Sequence, residues 1–199
     1  MSILKRIKIS IAVLLASIFV SISLVDICYA LGFNGITMNY SYPMRYQSCA
    51  VFSSGSKTGQ KASVAKWNSA SEVTNLFIAA SEHYLINYPA NDGINRIYSI
   101  DMHSSTIVAQ NTMWFRPGTF MVVESDINYN SGMPLSNGAV PGRYDVETAF
   151  LHELGHTVGI ADSYAASDSK AVMYGYISPG VTKRTLSADD KYLAYERYH

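Results

Sequence analysis

The alternation of apolar and polar residues predicts several short strands before residue 130. Residues 36–42 alternate in this way, residues 76–80 form a short apolar run, and further strand-like segments follow at residues 96–100, 106–115 and 120–129. Turn-forming residues such as Pro, Asn, Asp and Gly separate several of these runs. Short patterns of period two, bounded by turn residues, are typical of strands. We therefore predict five strands, followed by a turn-rich segment at residues 130–142.

Three other segments have a helical rather than a strand-like pattern. Residues 57–68 carry Ala62, Ala65 and Trp67 among polar residues, with Thr58 as a candidate N-cap. A helix from about residue 188 to 198 is predicted by Ser187 and the Asp three positions later, which resemble a capping box.

The third helical segment has the strongest periodicity. Its apolar residues recur at helical intervals: Val146, Phe150, Leu151, Leu154 and Val158. Asp145 is suited to cap its N-terminus, and Gly159 can end it in the left-handed conformation. The order of strand, helix, several strands and two helices predicts an α+β fold. No repeat or linker is evident, so we treat residues 31–199 as one domain.

The first 30 residues have the pattern of a secretory signal peptide. Basic residues at positions 5, 6 and 8 precede an uncharged apolar run at residues 9–25. Small residues, Cys28 and Ala30, stand at the two positions that a signal peptidase inspects for a cut after Ala30. The alternative is an uncleaved signal anchor, in which case a membrane would retain the protein. We expect a secreted protein, extracellular or periplasmic.

Composition and charge narrow the class of function. Hydrophobic residues make up 48% of the chain, which is enough for a core. After residue 30 the chain has 12 basic and 14 acidic residues, so no basic excess suggests nucleic acid as a partner. Cys49 is then the single cysteine, which excludes an intrachain disulfide. We expect a partly buried thiol there, with a zinc thiolate as the alternative.

His152, Glu153 and His156 form an HExxH sequence on the predicted third helix. Residues four apart lie on one helix face, so both imidazoles can bind one zinc ion. Glu153 points about 100° away around the helix, from where its carboxylate can act on water at the metal. Gly159 lets the chain turn sharply after the helix and bring Asp162 back as the third ligand.

The chance alternative is a helix with two surface histidines. The longer pattern HExxHxxGxxD, from His152 to Asp162, makes coincidence much rarer than a bare HExxH match does. We predict His152, His156 and Asp162 as metal ligands and Glu153 as the catalytic residue. The remaining histidines are predicted to be isolated surface residues: His83, His103 and His199.

This stretch resembles the metzincin zinc peptidases, in particular matrixin-like members. Residues 171–175 resemble the Met-turn of that family, with Met173 beneath the metal, and residues 186–190 resemble the start of the matrixin C-terminal helix. Residues 124–130 resemble the strand that precedes the active-site helix. The similarity extends from about residue 119 to residue 199. One departure is Asp162, because the third ligand of the family is usually His.

The resemblance implies a metzincin-like fold, with a twisted mixed sheet, an active-site helix and a C-terminal helix. It implies a secreted zinc metalloendopeptidase with one catalytic zinc ion and Glu153 as general base, acting on protein or peptide substrates. Residues 174–178 would line the specificity pocket, and a peptide would add as a strand beside residues 120–128. We expect a monomer. Structural calcium is possible in this family, but the sequence assigns no ligands to it.

Two other functions remain open from the sequence. One is a secreted zinc-containing binding or adhesion module without catalysis, and the other is a zinc hydrolase that acts on something other than protein. A purely structural zinc site would not need the carboxylate of Glu153, and three protein ligands would leave one coordination position open.

Overall fold

The computed structural model describes residues 32–38, 43–84 and 88–199. In this part of the chain the elements are β1 (Thr37–Met38), β2 (Met44–Cys49), α1 (Ser54–Ser71), β3 (Phe77–His83), β4 (Arg96–Ile100), β5 (Ala109–Phe115), β6 (Met121–Asn130), β7 (Leu135–Ser136), β8 (Tyr144–Asp145), α2 (Val146–Val158) and α3 (Ala188–Tyr198). A short 3-10 helix, Ala166–Asp168, lies between α2 and α3. The signal peptide predicted at residues 1–30 lies outside the described residues.

One mostly parallel sheet contains the first six strands. The order β1-β6-β4-β2-β3 is parallel throughout, and β5 pairs antiparallel with β6. Along β6, β1 pairs at Met121 and Val122, and β4 pairs from Ile127 onward. Strand β5 occupies the other side of β6. Among the described residues β5 pairs with no second strand, so it forms an open edge of the sheet.

Helix α2 packs against helix α1 and against strands β5 and β6 of the sheet. Its apolar side chains Phe150, Leu151 and Leu154 are fully buried, as their helical spacing predicts. The indole of Trp67 on α1 donates a hydrogen bond to the Leu151 carbonyl at 2.8 Å. Fully burying each of these large side chains stabilises the fold by about 1.5–3 kcal/mol. The core therefore fixes the position of α2 relative to the sheet.

The opposite face of β6 carries buried polar residues. Ser125 hydrogen-bonds Thr157 of α2, and the Tyr129 hydroxyl donates to the Val146 carbonyl of the same helix. Side chains alternate between the two faces of a strand, so Asp126 lies on the face away from α2. Asp126 is fully buried, and its Oδ1 accepts a hydrogen bond from the Arg96 backbone at 2.7 Å. Burial raises the pKa of this carboxyl to about 7, against the lowering effect of that bond.

The predicted elements agree with the structure where local signals are strong. The bounds of α3 and β4 are confirmed, and α2 has Asp145 as its N-cap and Gly159 as its C-cap. Helix α1 is longer than predicted, and its N-cap is Ser53; Thr58 lies inside the helix, where its hydroxyl bonds the Ser54 carbonyl.

Three strands were not predicted. They are β2, β7 and β8. Strand β2 has buried Met44 and Tyr46, but the polar residues between and after them obscure the pattern. Residues 39–42 of the predicted first strand lie outside the described part of the chain.

The combination of helices with a mostly parallel sheet and one antiparallel edge strand is consistent with the predicted α+β class. None of the helices in residues 32–38, 43–84 and 88–199 has the length and apolar character that a membrane span requires.

Candidate metal centre

Helix α2 brings the two histidines of the HExxH sequence to one face. The Asp145 carboxylate caps the helix, since its Oδ2 accepts a hydrogen bond from the Thr148 backbone at 3.0 Å. The His152 and His156 rings lie 4.7 Å apart between centroids and are nearly perpendicular. Both side chains are less than one fifth exposed. The helix thus presents two imidazoles side by side at its surface.

A backbone carbonyl fixes the tautomer of each ring. His152 Nδ1 lies 2.8 Å from the Val172 carbonyl, and His156 Nδ1 lies 3.0 Å from the Ile160 carbonyl. A carbonyl oxygen only accepts hydrogen bonds, so both Nδ1 atoms carry a proton. Each Nε2 atom is thereby left to face the centre. Metal-binding histidines usually have such a second partner.

Gly159 and the segment after it bring Asp162 to the histidines. Gly159 has φ of 112°, and its N–H bonds the carbonyls of Gly155 and His156, which ends the helix. Ser163 then pairs with the Met173 segment, because its N–H bonds the Met173 carbonyl at 2.9 Å. Asp162 Oδ1 consequently lies 3.0 Å from His152 Nε2 and 3.6 Å from His156 Nε2.

The close approach of His152 and Asp162 shifts the pKa values of both groups. Burial alone would lower the pKa of His152, but the hydrogen bond to Asp162 and the charges of Glu153 and Asp162 raise it to about 9. Burial raises the pKa of Asp162, but the hydrogen bond from His152 and the two imidazoles lower it below its ordinary value. The two shifts favour a charged His152 paired with the Asp162 carboxylate.

Glu153 lies beside the ligand group and is buried, with 7% of its surface exposed. Burial raises the pKa of its carboxyl, although the two histidines act in the opposite direction. The Asn111 side chain of β5 donates to the Glu153 carbonyl at 2.8 Å and to Thr157 Oγ1 at 2.7 Å. These bonds tie the helix at Glu153 to the edge strand.

Met173 lies against the helix between the two histidines. It is fully buried, and a Cβ atom at Gly155 would overlap its Sδ atom and lie 2.9 Å from Trp67. Glycine at position 155 therefore allows the sulfur to approach the helix backbone. The Met173 segment also supplies the Val172 carbonyl that orients His152.

The donor set fits a zinc ion. The metal-binding atoms of His152, His156 and Asp162 all lie within 4.8 Å of one another. Two imidazole nitrogens and one carboxylate oxygen are common protein ligands of catalytic zinc, which keeps a fourth position open. In the part of the chain that the structure describes, no other such group is found, and buried Cys49 does not belong to this one.

A cleft of about 650 Å³ runs past the centre. Its lining includes Gln110, Asn111 and Met113 of edge strand β5 and residues of the segment after Met173. Strand β6, beside which the sequence placed a bound peptide, pairs with β5 along one side and, on its other side, with β1 near its start and with β4 near its end. The expected position of a peptide beside residues 120–128 stays a prediction, and the open strand edge that lines the cleft is that of β5.

The structure brings the four predicted site residues together and adds three that sequence reasoning missed. Tyr164 donates to Asp162, Asn111 contacts the Glu153 backbone, and Lys183 lines the cleft. These contacts join distant parts of the chain or depend on a loop conformation, and no local pattern marks them.

The predicted exposure of the other three histidines is confirmed for two of them. His103 and His199 are exposed as predicted, but His83 is buried, with its Nε2 3.1 Å from the Ile97 carbonyl. The prediction for His83 is wrong because its ring, at the end of β3, packs against the ring of Tyr98 on β4 at 5.1 Å.

No protein-family model matches this chain, and no curated protein matches it. What the centre does is therefore inferred from its own residues.

Proposed function

We propose that the protein is a secreted, zinc-dependent metalloendopeptidase of metzincin-like fold, similar to the matrixins and active as a monomer. The observation that carries this proposal is the convergence of three metal-binding atoms within 4.8 Å of one another, with the Glu153 carboxylate beside them in an open cleft. A group of this kind at the bottom of a cleft suits hydrolysis of a bound substrate.

His152 and His156 would hold the ion through Nε2, and Asp162 through a carboxylate oxygen. Zinc in this place supplies a Lewis acid that polarises a peptide carbonyl and makes water more acidic. Glu153 takes the proton from the attacking water and passes it to the leaving amine.

The open edge of β5 supports a polypeptide as the substrate. An extended peptide can add to an unpaired strand through main-chain hydrogen bonds, whatever its side chains are. Residues 109–111 and Met113 of β5 line the same cleft as the zinc ligands. A peptide that paired with β5 would cross the cleft, and its backbone would lie close to Glu153.

A binding module without catalysis would use the same three ligands. It would not require a buried carboxylate beside them, because burying Glu153 is costly without a function for it. The position of Glu153 thus favours the peptidase over the binding module.

The test is an assay of the purified protein on casein and on a library of end-blocked peptides. We expect cleavage that a chelator abolishes and that stoichiometric zinc restores. His156→Ala should lose both zinc and activity, while His103→Ala, which changes an exposed histidine outside the cleft, should retain both. Absence of cleavage by the zinc-loaded protein on all substrates would contradict the proposal.

A further inference from the structure

Lys183 is the single Lys or Arg among the residues that line the cleft. The cleft also has several aromatic and aliphatic lining residues. The residues there include Tyr144, Ala149, Val172, Tyr174 and Ile177. If the pocket bound only apolar side chains, removing the Lys183 ammonium group from water would cost free energy without compensation.

The backbone of Lys183 is fixed relative to the metal centre. Its N–H donates to Thr148 Oγ1 at 2.8 Å. Thr148 lies four residues before His152 on α2, so the two lie on one helix face about 6 Å apart along the axis. That distance is within two residues of an extended peptide, which advances about 3.3 Å per residue. Lys183 therefore lies near a substrate residue beside the scissile bond.

Neighbouring Arg184 holds the segment in place by forming ion pairs with Asp145 and Glu147. Its Nε and one terminal nitrogen bond the two oxygens of Asp145 at 2.9 and 2.6 Å, and its other terminal nitrogen lies 3.1 Å from Glu147. A bidentate pair of this kind is strong and well oriented. Arg184 thus has a structural partner, whereas Lys183 extends into the cleft.

The ammonium group of Lys183 has unused hydrogen-bonding capacity. Its Nζ donates to the Tyr176 carbonyl at 3.3 Å and lies 4.6 Å from the centre of the Tyr174 ring. Two of its three donors remain for a ligand. Among the described residues no carboxylate lies within 4.0 Å of it.

The acid that most affects Lys183 is Asp190, which raises its pKa, although burial lowers that pKa overall. The Asp190 carboxylate already accepts hydrogen bonds from the backbone of Val172, Met173 and Ser187. It is therefore committed to holding the Met173 segment. A carboxylate of a bound ligand would give the Lys183 ammonium group an ion-pair partner.

From these contacts we propose that Lys183 selects substrates by binding a carboxylate close to the scissile bond, supplied by an Asp or Glu side chain or by the C-terminus of a short peptide. This inference rests on the proposed peptidase function and names its substrate class. The apolar walls would contact the methylene groups of the side chain, and Nζ would pair with its charged end.

The test compares peptides that differ in one residue. In a set with acetylated and amidated ends, Glu is placed at each position flanking the scissile bond and is compared with Gln, which has the same size. A second set has a free or an amidated C-terminus. We expect a Glu-to-Gln ratio in kcat/KM of about ten- to a hundredfold at one position, the range of a hydrogen bond to a charged group. A preference for the free C-terminus instead would assign the carboxylate to the chain end.

Lys183→Met keeps much of the volume and removes the charge. It should bring the preferred ratio close to one, with cleavage of the Gln peptide retained, and Lys183→Glu should favour Lys over Glu at that position. Lys170→Met removes an exposed lysine that does not line the cleft and should keep the wild-type ratio.

The outcomes separate the two proposals. If wild-type protein with zinc cleaves no peptide, the peptidase function fails. If it cleaves Glu and Gln peptides equally at every position and ignores the C-terminal charge, the role of Lys183 is overturned while the function stands. A preference that survives in Lys183→Met would also overturn it.

Discussion

The hydroxyl of Tyr164 donates a hydrogen bond to Asp162 Oδ2 at 3.3 Å, while Oδ1 of the same carboxylate faces the two histidines. The Tyr164 ring lies against Gly175, where a Cβ atom would overlap it, and contacts the ring of Tyr176 at 5.1 Å. Asp162 is thus held from the side opposite the centre. This relationship makes Tyr164 a positioning residue for the third ligand.

Tyr164→Phe should weaken zinc binding by about tenfold, because the loss of a residue that orients a ligand typically costs 10- to 100-fold in metal affinity. Competition with a chromophoric chelator measures this change, and zinc-saturated protein should keep its fold. Tyr192→Phe removes a hydroxyl from an exposed tyrosine on α3, outside the cleft, and serves as the control. Equal zinc affinity in both variants would argue against a positioning role.

Gly159→Ala should lower both the stability and the zinc affinity. The residue has φ of 112°, and its added Cβ atom would lie 3.0 Å from Arg197 Nε and 3.1 Å from the Ile36 carbonyl. We expect a loss of about 2 kcal/mol or more in the free energy of unfolding, measured in urea. Gly118→Ala also has positive φ but open space around it, so it should cost about 1 kcal/mol and leave zinc binding unchanged. Unchanged zinc affinity in Gly159→Ala would show that this turn does not place Asp162.

Asn111→Ala should slow catalysis with zinc still bound. The Asn111 side chain bonds the Glu153 carbonyl, Thr157 and Ser125, so its loss leaves buried polar groups without partners and costs about 1–3 kcal/mol. We expect a lower kcat at full zinc occupancy, because Glu153 would be held less firmly. Asn68→Ala breaks comparable bonds to Phe77 far from the cleft, and it should lower stability without changing kcat. The same kcat in both variants would contradict the role of Asn111.

The buried carboxyl of Asp126 should make stability depend on pH. Its pKa is raised from 3.8 to about 7 by burial and by the charge of Glu124, against the effect of Arg96. Between pH 4 and 7 the folded protein keeps this proton and the unfolded chain does not, so its contribution to stability falls as pH rises, by about 1.4 kcal/mol per unit. Asp126→Asn should remove this slope. We therefore expect the free energy of unfolding of the variant, minus that of the wild type, to increase from pH 4 to 7. A difference that does not change with pH would refute the prediction.

The parts of the fold that the sequence predicts are those with local signals. Helix α2 follows from apolar spacing, and its ends follow from Asp145 and Gly159, whose capping contacts lie within four residues. The same holds for the Ser187–Asp190 capping box of α3. The proximity of His152 and His156 is likewise a property of one helix. Asp162 was predictable because a single turn separates it from that helix.

The remaining features depend on contacts between distant residues. Strand β2 was missed because Tyr46 is buried through bonds to Ser125 and Thr157, which no local pattern reveals. The order of strands in the sheet decides that β5 is open and β6 is paired, and this order is not encoded in the alternation of either strand. Lys183 belongs to the cleft through its bond to Thr148, 35 residues earlier.

The most direct test of the peptidase proposal is the kcat/KM of zinc-loaded Glu153→Gln on a peptide that the wild type cleaves. Gln has the size of Glu but cannot take a proton. The substitution leaves the ligands His152, His156 and Asp162 unchanged, so they should still bind one zinc ion per chain. We predict wild-type zinc content and a fall in kcat/KM of about 10²- to 10⁴-fold, the usual contribution of a general base. Wild-type turnover by a zinc-loaded Glu153→Gln would contradict the account.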